Sequence, residues 1–227
     1  MPEARVRRRR RRWHLVLAVL VVALVAWAAW LVMFSQLFGV RQIDVQGVSL
    51  VSSDDVIAAA GVSTGLPMVR VSQQTVSGLV TAALPAVASV DVQRKWPSTL
   101  VLRVTERVAV YQVASGGQYG MVSADGVVFY QGPMDQTLLV AQVAVDNQAL
   151  LAGVATVVAS LPAELAAHVQ LVQAPTGDSI TLQLDDDRQV FWGSAEQSDL
   201  KAQVIMPLLT VPGKVYDVSA PSAPAVR

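Results

Sequence analysis

Apolar and polar residues alternate with a period of two over Val40 to Val48 (VRQIDVQGV), which predicts a strand with Ile43 and Val45 on one face. Gly47 ends it. Ser52-Ser53-Asp54-Asp55 then reads as a helix start, with Ser52 and Asp55 at capping-box spacing. This short helix runs to Ala60 and stops at Gly61. Gly65-Leu66-Pro67 is a turn, and Ser72 opens a second helix. Val76, Leu79, Val80 and Ala83 recur at the spacing of one helical face, and Pro85 closes the helix. Two alternating runs follow. Val87 to Lys95 turns Val90 and Val92 to one side, and Thr99 to Val110 does the same with Leu100, Leu102, Val104, Val108 and Val110. Trp96-Pro97-Ser98 lies between them. Glu106 falls on the apolar side, so the strand either bulges there or sets Glu106 at a rim beside a base such as Arg94, because an unpaired buried carboxylate is costly.

The pattern continues. Met121 to Tyr130 predicts a hairpin around Asp125-Gly126, a favoured tight-turn pair. Asn147 to Leu161 has helical spacing through Leu150, Val154, Val157 and Leu161, and Pro162 ends it. Ser179 to Phe191 predicts a second hairpin turning at Asp185-Asp186-Asp187-Arg188. Trp192-Gly193-Ser194 leads into a helix with Leu200 and Val204 inward, Ser194 and Gln197 at capping-box spacing, and Pro207 ending or kinking it. Lys214 to Ser219 is a last strand. Residues 220–227, with Pro221 and Pro224, read as a flexible tail.

The amino-terminal end follows neither period. Leu15 to Phe34 is twenty residues without a charge, and a helix of that length reaches roughly 30 Å, the thickness of a bilayer core. Twelve of the twenty are Leu, Val or Phe, which together favour insertion by about 4–7 kcal/mol. A cleaved signal peptide has a shorter apolar core and a small-residue site; here Trp27 and Trp30 interrupt Ala26, Ala28 and Ala29, so residues 15–34 read as an uncleaved transmembrane helix. Before it stand seven arginines and one acid, Glu3, in the first twelve residues. By the positive-inside rule residues 1–14 are a cytoplasmic basic tail and the rest lies outside the cytoplasm, in or beyond the cell membrane.

Charge changes the picture further. The formal net charge of zero hides an excess of six acids after residue 12, which argues against nucleic acid as a partner. The arginine block, beside a span, is read as a topology signal and an anionic-lipid contact. There is no cysteine, which excludes disulfides, a lipid-modified cysteine and a cysteine nucleophile. No catalytic constellation is legible. His14 and His168 fall on opposite sides of the expected membrane. Asp185 to Asp187 lack the regular oxygen-ligand spacing and closing Glu of a calcium loop, and read as a solvated turn. Ser115-Gly116-Gly117 has no base partner and reads as a turn. No cofactor, metal or small-molecule substrate is implied, and the chain is read as a binding protein without enzymatic activity.

The order β-α-α-β-β over residues 40–110 resembles a POTRA domain, a three-stranded sheet with two helices on one face. DVQGV…SSDDVIAAAGVSTGLPM followed by LPAVASVDVQRKWPSTLVLRVTERVAV is similar to the FtsQ/DivIB cell-division family. The residues that carry this are Pro85 with Val87, Trp96-Pro97 with Thr99, and Glu106-Arg107; many relatives have a proline where this chain has Ala109. Residues 111–219 follow the order of the family's β domain. The resemblance implies an α+β protein: a transmembrane helix, a βααββ POTRA domain, then a mixed or antiparallel β domain with flanking helices. It implies a single-pass scaffold of the divisome at the septum that holds FtsB-like and FtsL-like proteins, links early and late division proteins and influences septal peptidoglycan synthesis. In the family the C-terminal region receives FtsB by strand addition, which by position implicates Val215, Tyr216, Asp217, Val218 and Ser219, with Tyr216 as a side-chain anchor. The second strand-and-helix edge of the POTRA domain is a further candidate surface for division proteins. Two rivals are weaker on the residues. A POTRA-bearing secretion or outer-membrane assembly factor needs a barrel of many lipid-facing strands. An anchored cell-wall enzyme needs a catalytic set.

Overall fold

The computed structural model describes Trp13, residues 16–25, Trp27 and residues 38–227. Nine of the twenty residues of the expected membrane span, 15–34, therefore lie outside the described residues. Residues 16–25 are helical with exposed side chains, and among the described residues no helix is long and apolar enough to cross a membrane. The chain divides into two compact units, with the boundary between Glu106 and Arg107.

In the first unit, β1 (Gln42–Gln46), α1 (Ser53–Ala60), a single 3-10 turn (Met68–Arg70), α2 (Gln73–Ala83), β2 (Val87–Lys95) and β3 (Thr99–Glu106) follow one another. The sheet order is β1-β3-β2, with β1 parallel and β2 antiparallel to the central β3. Leu100, Leu102 and Val104 of β3 face the helices and pack with Val56, Val76, Val80, Val90 and Met68. Both helix starts follow from local chemistry: the Ser52 hydroxyl accepts from Asp55 N–H at 3.1 Å, and that of Ser72 from Thr75 N–H at 3.3 Å. Gly61 ends α1 in the left-handed region at φ 62°. Of the predicted α2 face, only Val76 and Val80 are buried. Leu79 and Ala83 are exposed, because three strands cover only a narrow stripe of the helix.

The strand expected through Val110 ends at Glu106, and Val108 is 78 % exposed. The reason is the fate of Glu106. Its carboxylate accepts from Ser49 N–H (2.8 Å), Ser49 Oγ (2.6 Å), Leu50 N–H (2.8 Å) and Val51 N–H (3.1 Å). It does not pair with Arg94, which donates to the carbonyls of Met68 and Val71 at 2.9 and 2.7 Å. The register shift lies across from it, between Val87 and Ser89 of β2. Turning the acid onto the backbone after β1 satisfies three consecutive N–H groups and stops the β3 ladder there.

The second unit holds β4 (Ala109–Ser115), β5 (Gln118–Ser123), β6 (Val128–Gly132), β7 (Val140–Val143), α3 (Gln148–Ser160), α4 (Ala163–Ala166), β8 (Val169–Ala174), β9 (Ile180–Leu184), β10 (Gln189–Gly193), α5 (Ser198–Leu208), β11 (Val215–Asp217) and β12 (Ala225–Val226). They form one nine-stranded mixed sheet in the order β12-β11-β10-β9-β8-β7-β4-β5-β6. The hairpins at Asp125-Gly126 and Asp185–Arg188 stand where the pattern put them. The parallel pairs β7/β8 and β10/β11 are joined through α3–α4 and α5, as a parallel pair requires a crossover. Leu151, Val154 and Val157 of α3 and Ile205 of α5 pack with Val172, Leu182, Val190 and Trp192.

The α5 prediction was rotated by one position. Ser198, Lys201, Ala202 and Ile205 are the buried positions, Leu200 is exposed, and Ser194 and Gln197 form no capping box. Buried Trp192 sets the phase: its Nε1–H donates to Ser198 Oγ at 3.1 Å, and Ser198 Oγ donates to the Ala195 carbonyl at 2.8 Å. The Ser194 carbonyl accepts from Lys201 Nζ at 2.8 Å. Gln197 carries φ 53°, which leaves its side chain off the helix start. Pro207 sits in the last turn, and the helix ends one residue after it, at Leu208.

Desolvation alone pushes the Glu106 carboxyl up, but the hydrogen bonds from the Ser49 side chain and from the backbone of Ser49, Val51 and Leu50 outweigh it and hold the pKa below the ordinary glutamate range. A group depressed on folding contributes stability that is complete above its unfolded pKa and is lost as pH falls through the folded value. Glu106→Gln is expected to cost about 2 kcal/mol at neutral pH. The deficit should shrink in acid below the ordinary glutamate range. Urea titrations of wild type and variant between neutral pH and pH in that acid range check both.

Candidate docking edge

A sheet of nine strands has two ends, and only there are backbone N–H and C=O groups left for another chain. One end is β6, five residues long and paired only with β5. The other is β12, two residues long and paired only with β11.

The carboxy-terminal end is built by close approach. Val190 of β10 stands beside Tyr216 of β11, and Tyr216 beside Val226 of β12. Val215 N–H donates to the Arg227 carbonyl at 3.0 Å, and Arg227 N–H donates to the Val215 carbonyl at 2.9 Å. In an antiparallel pair this exchange alternates, so Val226 turns its N–H and C=O away from β11, towards the free side. Two glycines make room. A Cβ on Gly213 would stand 2.2 Å from Val226 Cγ1 and 3.2 Å from the Arg227 carbonyl oxygen, and one on Gly193 would stand 2.7 Å from Ser219 Cβ. Gly193 also holds φ 76°.

Tyr216, expected to be a side-chain anchor for the partner, is 1 % exposed. It is the inward residue of the alternation, with Val215 and Asp217 half-buried on the other face. Its hydroxyl lies 2.8 Å from the Val211 carbonyl and 3.0 Å from that of Gly213, and the Arg188 guanidinium stands 5.7 Å from its ring centre. Arg188 is itself held by Asp186 at 2.5 Å and by the Leu209 carbonyl at 3.2 Å. Val218 is buried and donates its N–H to the Phe191 carbonyl at 3.0 Å. Asp217 accepts from Ser219 N–H and Oγ at 3.0 and 2.7 Å, which turns the chain away from the strand. Both edges of β11 are therefore taken, by β10 and by β12. The strand Lys214 to Ser219 is not the last, and the tail 220–227 is not without structure, since Ala225–Val226 pairs and Arg227 closes the ladder. The proline-flanked run Ala220 to Pro224 hid this strand, and two residues carry no periodicity.

Val215, Asp217 and Arg227 share a shallow groove with Thr181, Gln189 and Phe191 on the outer sheet face. In the first unit, a polar groove runs between α2 and the edge strand β2, lined by Ser72, Gln73, Ser77, Thr81, Val90 and Arg94.

The remaining polar candidates are accounted for locally. His168 Nδ1 is 2.9 Å from Asp185 Oδ2, Asp186 binds Arg188, and Gly116 and Gly117 turn the chain between β4 and β5 with φ 58° and 85°. Among the described residues no three His, Cys, Asp or Glu side chains are grouped to hold a metal.

A three-stranded sheet backed by two helices, followed by a mixed sheet with flanking helices, defines a POTRA domain joined to a β domain. Residues 38–107 match the family described as POTRA domain, FtsQ-type, and residues 109–215 match Cell division protein FtsQ/DivIB, C-terminal. The chain is 37 % identical over 203 residues to Cell division protein FtsQ of Streptomyces venezuelae, covering 84 % of this chain and 75 % of that protein. It is 35 % identical over 199 residues to the FtsQ of Mycolicibacterium smegmatis, covering 87 % of this chain and 60 % of that protein. With the FtsQ of Mycobacteroides abscessus it is 33 % identical over 220 residues, covering 94 % and 69 %. The chain belongs to the FtsQ/DivIB family of cell-division proteins.

Gly213→Ala is expected to lift β12 while leaving the core in place. Amide exchange at Arg227 should accelerate about tenfold relative to that at Val190, as a local opening rather than global unfolding. Hydrogen-exchange mass spectrometry on the carboxy-terminal peptide reads it.

Proposed function

We propose that the protein is a non-enzymatic scaffold of the divisome that holds a partner by strand addition at the carboxy-terminal edge of its nine-stranded sheet. The observation that carries this reading is β12. It is short, lies at the end of the sheet, and directs the Val226 N–H and C=O outward. An FtsB-like extracytoplasmic segment would extend the sheet by pairing with Ala225–Val226, with Val215, Tyr216, Asp217, Val218 and Ser219 as the strand and turn that support it from behind. Val215 and Asp217 would meet the partner's flanking side chains through the groove they share with Arg227. Through the same partner the protein would hold an FtsL-like protein, link early to late division proteins and influence septal peptidoglycan synthesis. The groove between α2 and β2 is proposed as a second docking place for division proteins, because β2 is an edge strand there and its lining is polar and open. Residues 15–34 are proposed as a membrane span, with the basic tail 1–14 in the cytoplasm and both folded units outside it; the uncharged run and the preceding arginines support this.

Val226→Pro removes the outward donor and no bond between β12 and β11. It is expected to weaken binding of the FtsB-like extracytoplasmic peptide from the same genome by at least about tenfold, with a melting temperature within about 2 °C of wild type. Isothermal titration of the full chain in detergent reads the affinity, and an unchanged value removes strand addition at this edge. In dividing cells a fluorescent fusion should concentrate at the septum, and an even envelope signal would count against the divisome reading.

A further inference from the structure

Three segments far apart in sequence meet at one end of the first unit. Val40 N–H donates to the Leu66 carbonyl at 2.9 Å, and Gly65 N–H to the Val40 carbonyl at 2.8 Å. Arg41 N–H donates to the Ser98 carbonyl at 2.8 Å, and Arg94 straps Met68 and Val71 to β2. This end therefore collects residues 38–41, 65–71 and 94–98. Between residues 38 and 106 the chain has five basic side chains, and four of them, Arg41, Arg70, Arg94 and Lys95, lie in these segments; none of the five acids does. All four are exposed. In an exported part that is acidic overall, this is a segregation of charge.

The same end carries the aromatic pair. Trp96 is 50 % exposed at the tip of the β2–β3 turn, and the Phe38 ring packs edge-on against it with centroids 5.8 Å apart. Tryptophan beside basic side chains is the composition of a membrane–water interface, where the ring takes the headgroup level and the cations meet anionic lipid. Chain length supplies the proximity. Three residues separate Phe34, the end of the expected span, from Phe38, and the four steps between them reach no more than about 14 Å at full extension.

We propose that this end of the first unit is a lipid-facing foot: Trp96 and Phe38 sit in the headgroup layer of the leaflet from which the chain emerges, and Arg41, Arg70 and Lys95 face its anionic headgroups, while Arg94 holds the three segments together. The foot rests on the membrane-span reading of residues 15–34 given above. It fixes the tilt of the first unit against the bilayer, so that the groove beside α2 is presented in a defined direction and not swung freely on a tether.

The test uses the full chain labelled with fluorotryptophan in nanodiscs of phosphatidylglycerol and phosphatidylcholine. Trp96 is assigned by Trp96→Phe, and nitroxides are carried on the lipid headgroup or in the acyl chain. The headgroup nitroxide is expected to remove at least about half of the Trp96 signal. Trp192, buried in the second unit, should keep its signal, and Trp27 and Trp30 should lose theirs to the acyl-chain nitroxide. Loss at Trp27 and Trp30 with an untouched Trp96 overturns the foot and leaves the span standing. No loss at Trp27 or Trp30 overturns the span, and the foot with it. Loss at Trp96 that persists unchanged when phosphatidylcholine replaces all phosphatidylglycerol overturns the assignment of the basic side chains to anionic headgroups.

Discussion

Every strand ladder in this protein must come to an end somewhere, and how its backbone groups are met there governs both folded units. Water or a partner strand can satisfy the outermost N–H and C=O groups, and a long, flat edge invites the wrong partner. The second sheet ends at its carboxy-terminal side in strands of three and two residues, held by a reciprocal pair of bonds between Val215 and Arg227. So short an edge gives few bonds to a stray chain, while a matching segment with contacts beyond the edge has something to gain. The same demand shapes the first unit, where β3 stops because Glu106 turns to the N–H groups of residues 49–51.

Buried polar groups follow this rule throughout. Gln112 is fully buried and satisfied on both sides of its amide, donating to the carbonyls of Asp135 and Leu138 and accepting from Asp135 N–H. It pins the loop before β7 to β4. Tyr111 donates to the Leu151 carbonyl at 3.0 Å, and burial pushes its phenol well above the ordinary range, so it stays a donor across physiological pH. At the other end of the sheet the Tyr216 hydroxyl bonds the Val211 carbonyl and the Trp192 Nε1–H donates to Ser198 Oγ. Each joins a strand to a loop or helix packed beside it.

The helix starts at Ser52, Ser72 and Asn147, the stop at Gly61 and the turns at Asp125-Gly126 and Asp185–Arg188 were legible because each is local chemistry: a side-chain oxygen within three residues of the N–H it caps, or a turn residue suited to positive φ. The carboxy-terminal edge was half legible. Lys214 to Ser219 was recognisable as a strand, but it read as the last one and its turn at Asp217–Ser219 was not visible. Ala225–Val226 has no pattern of its own and is a strand only because Gly213 lets it approach and Val215 supplies its bonds. The phase of α5 was missed for a similar reason: Leu200 and Val204 are apolar, yet the bond from Trp192 to Ser198 rotates the helix and puts Lys201 inward.

Sequence by itself determined both helices and all three strands of the first unit, the two longer helices and the two hairpins of the second but not its short helix α4 or the strands β7 and β8, the apolar run with its arginines, and membership of a family whose residues recur in order. These depend on neighbours along the chain, where periodicity and capping act. Tertiary structure alone decided which strands lie at the edges, that Glu106 closes onto the backbone after β1, that Tyr216 points inward, and that Phe38, Arg70 and Trp96 share one end of a domain. Those outcomes depend on which groups remain unpaired once everything else has packed, and no local pattern records that remainder.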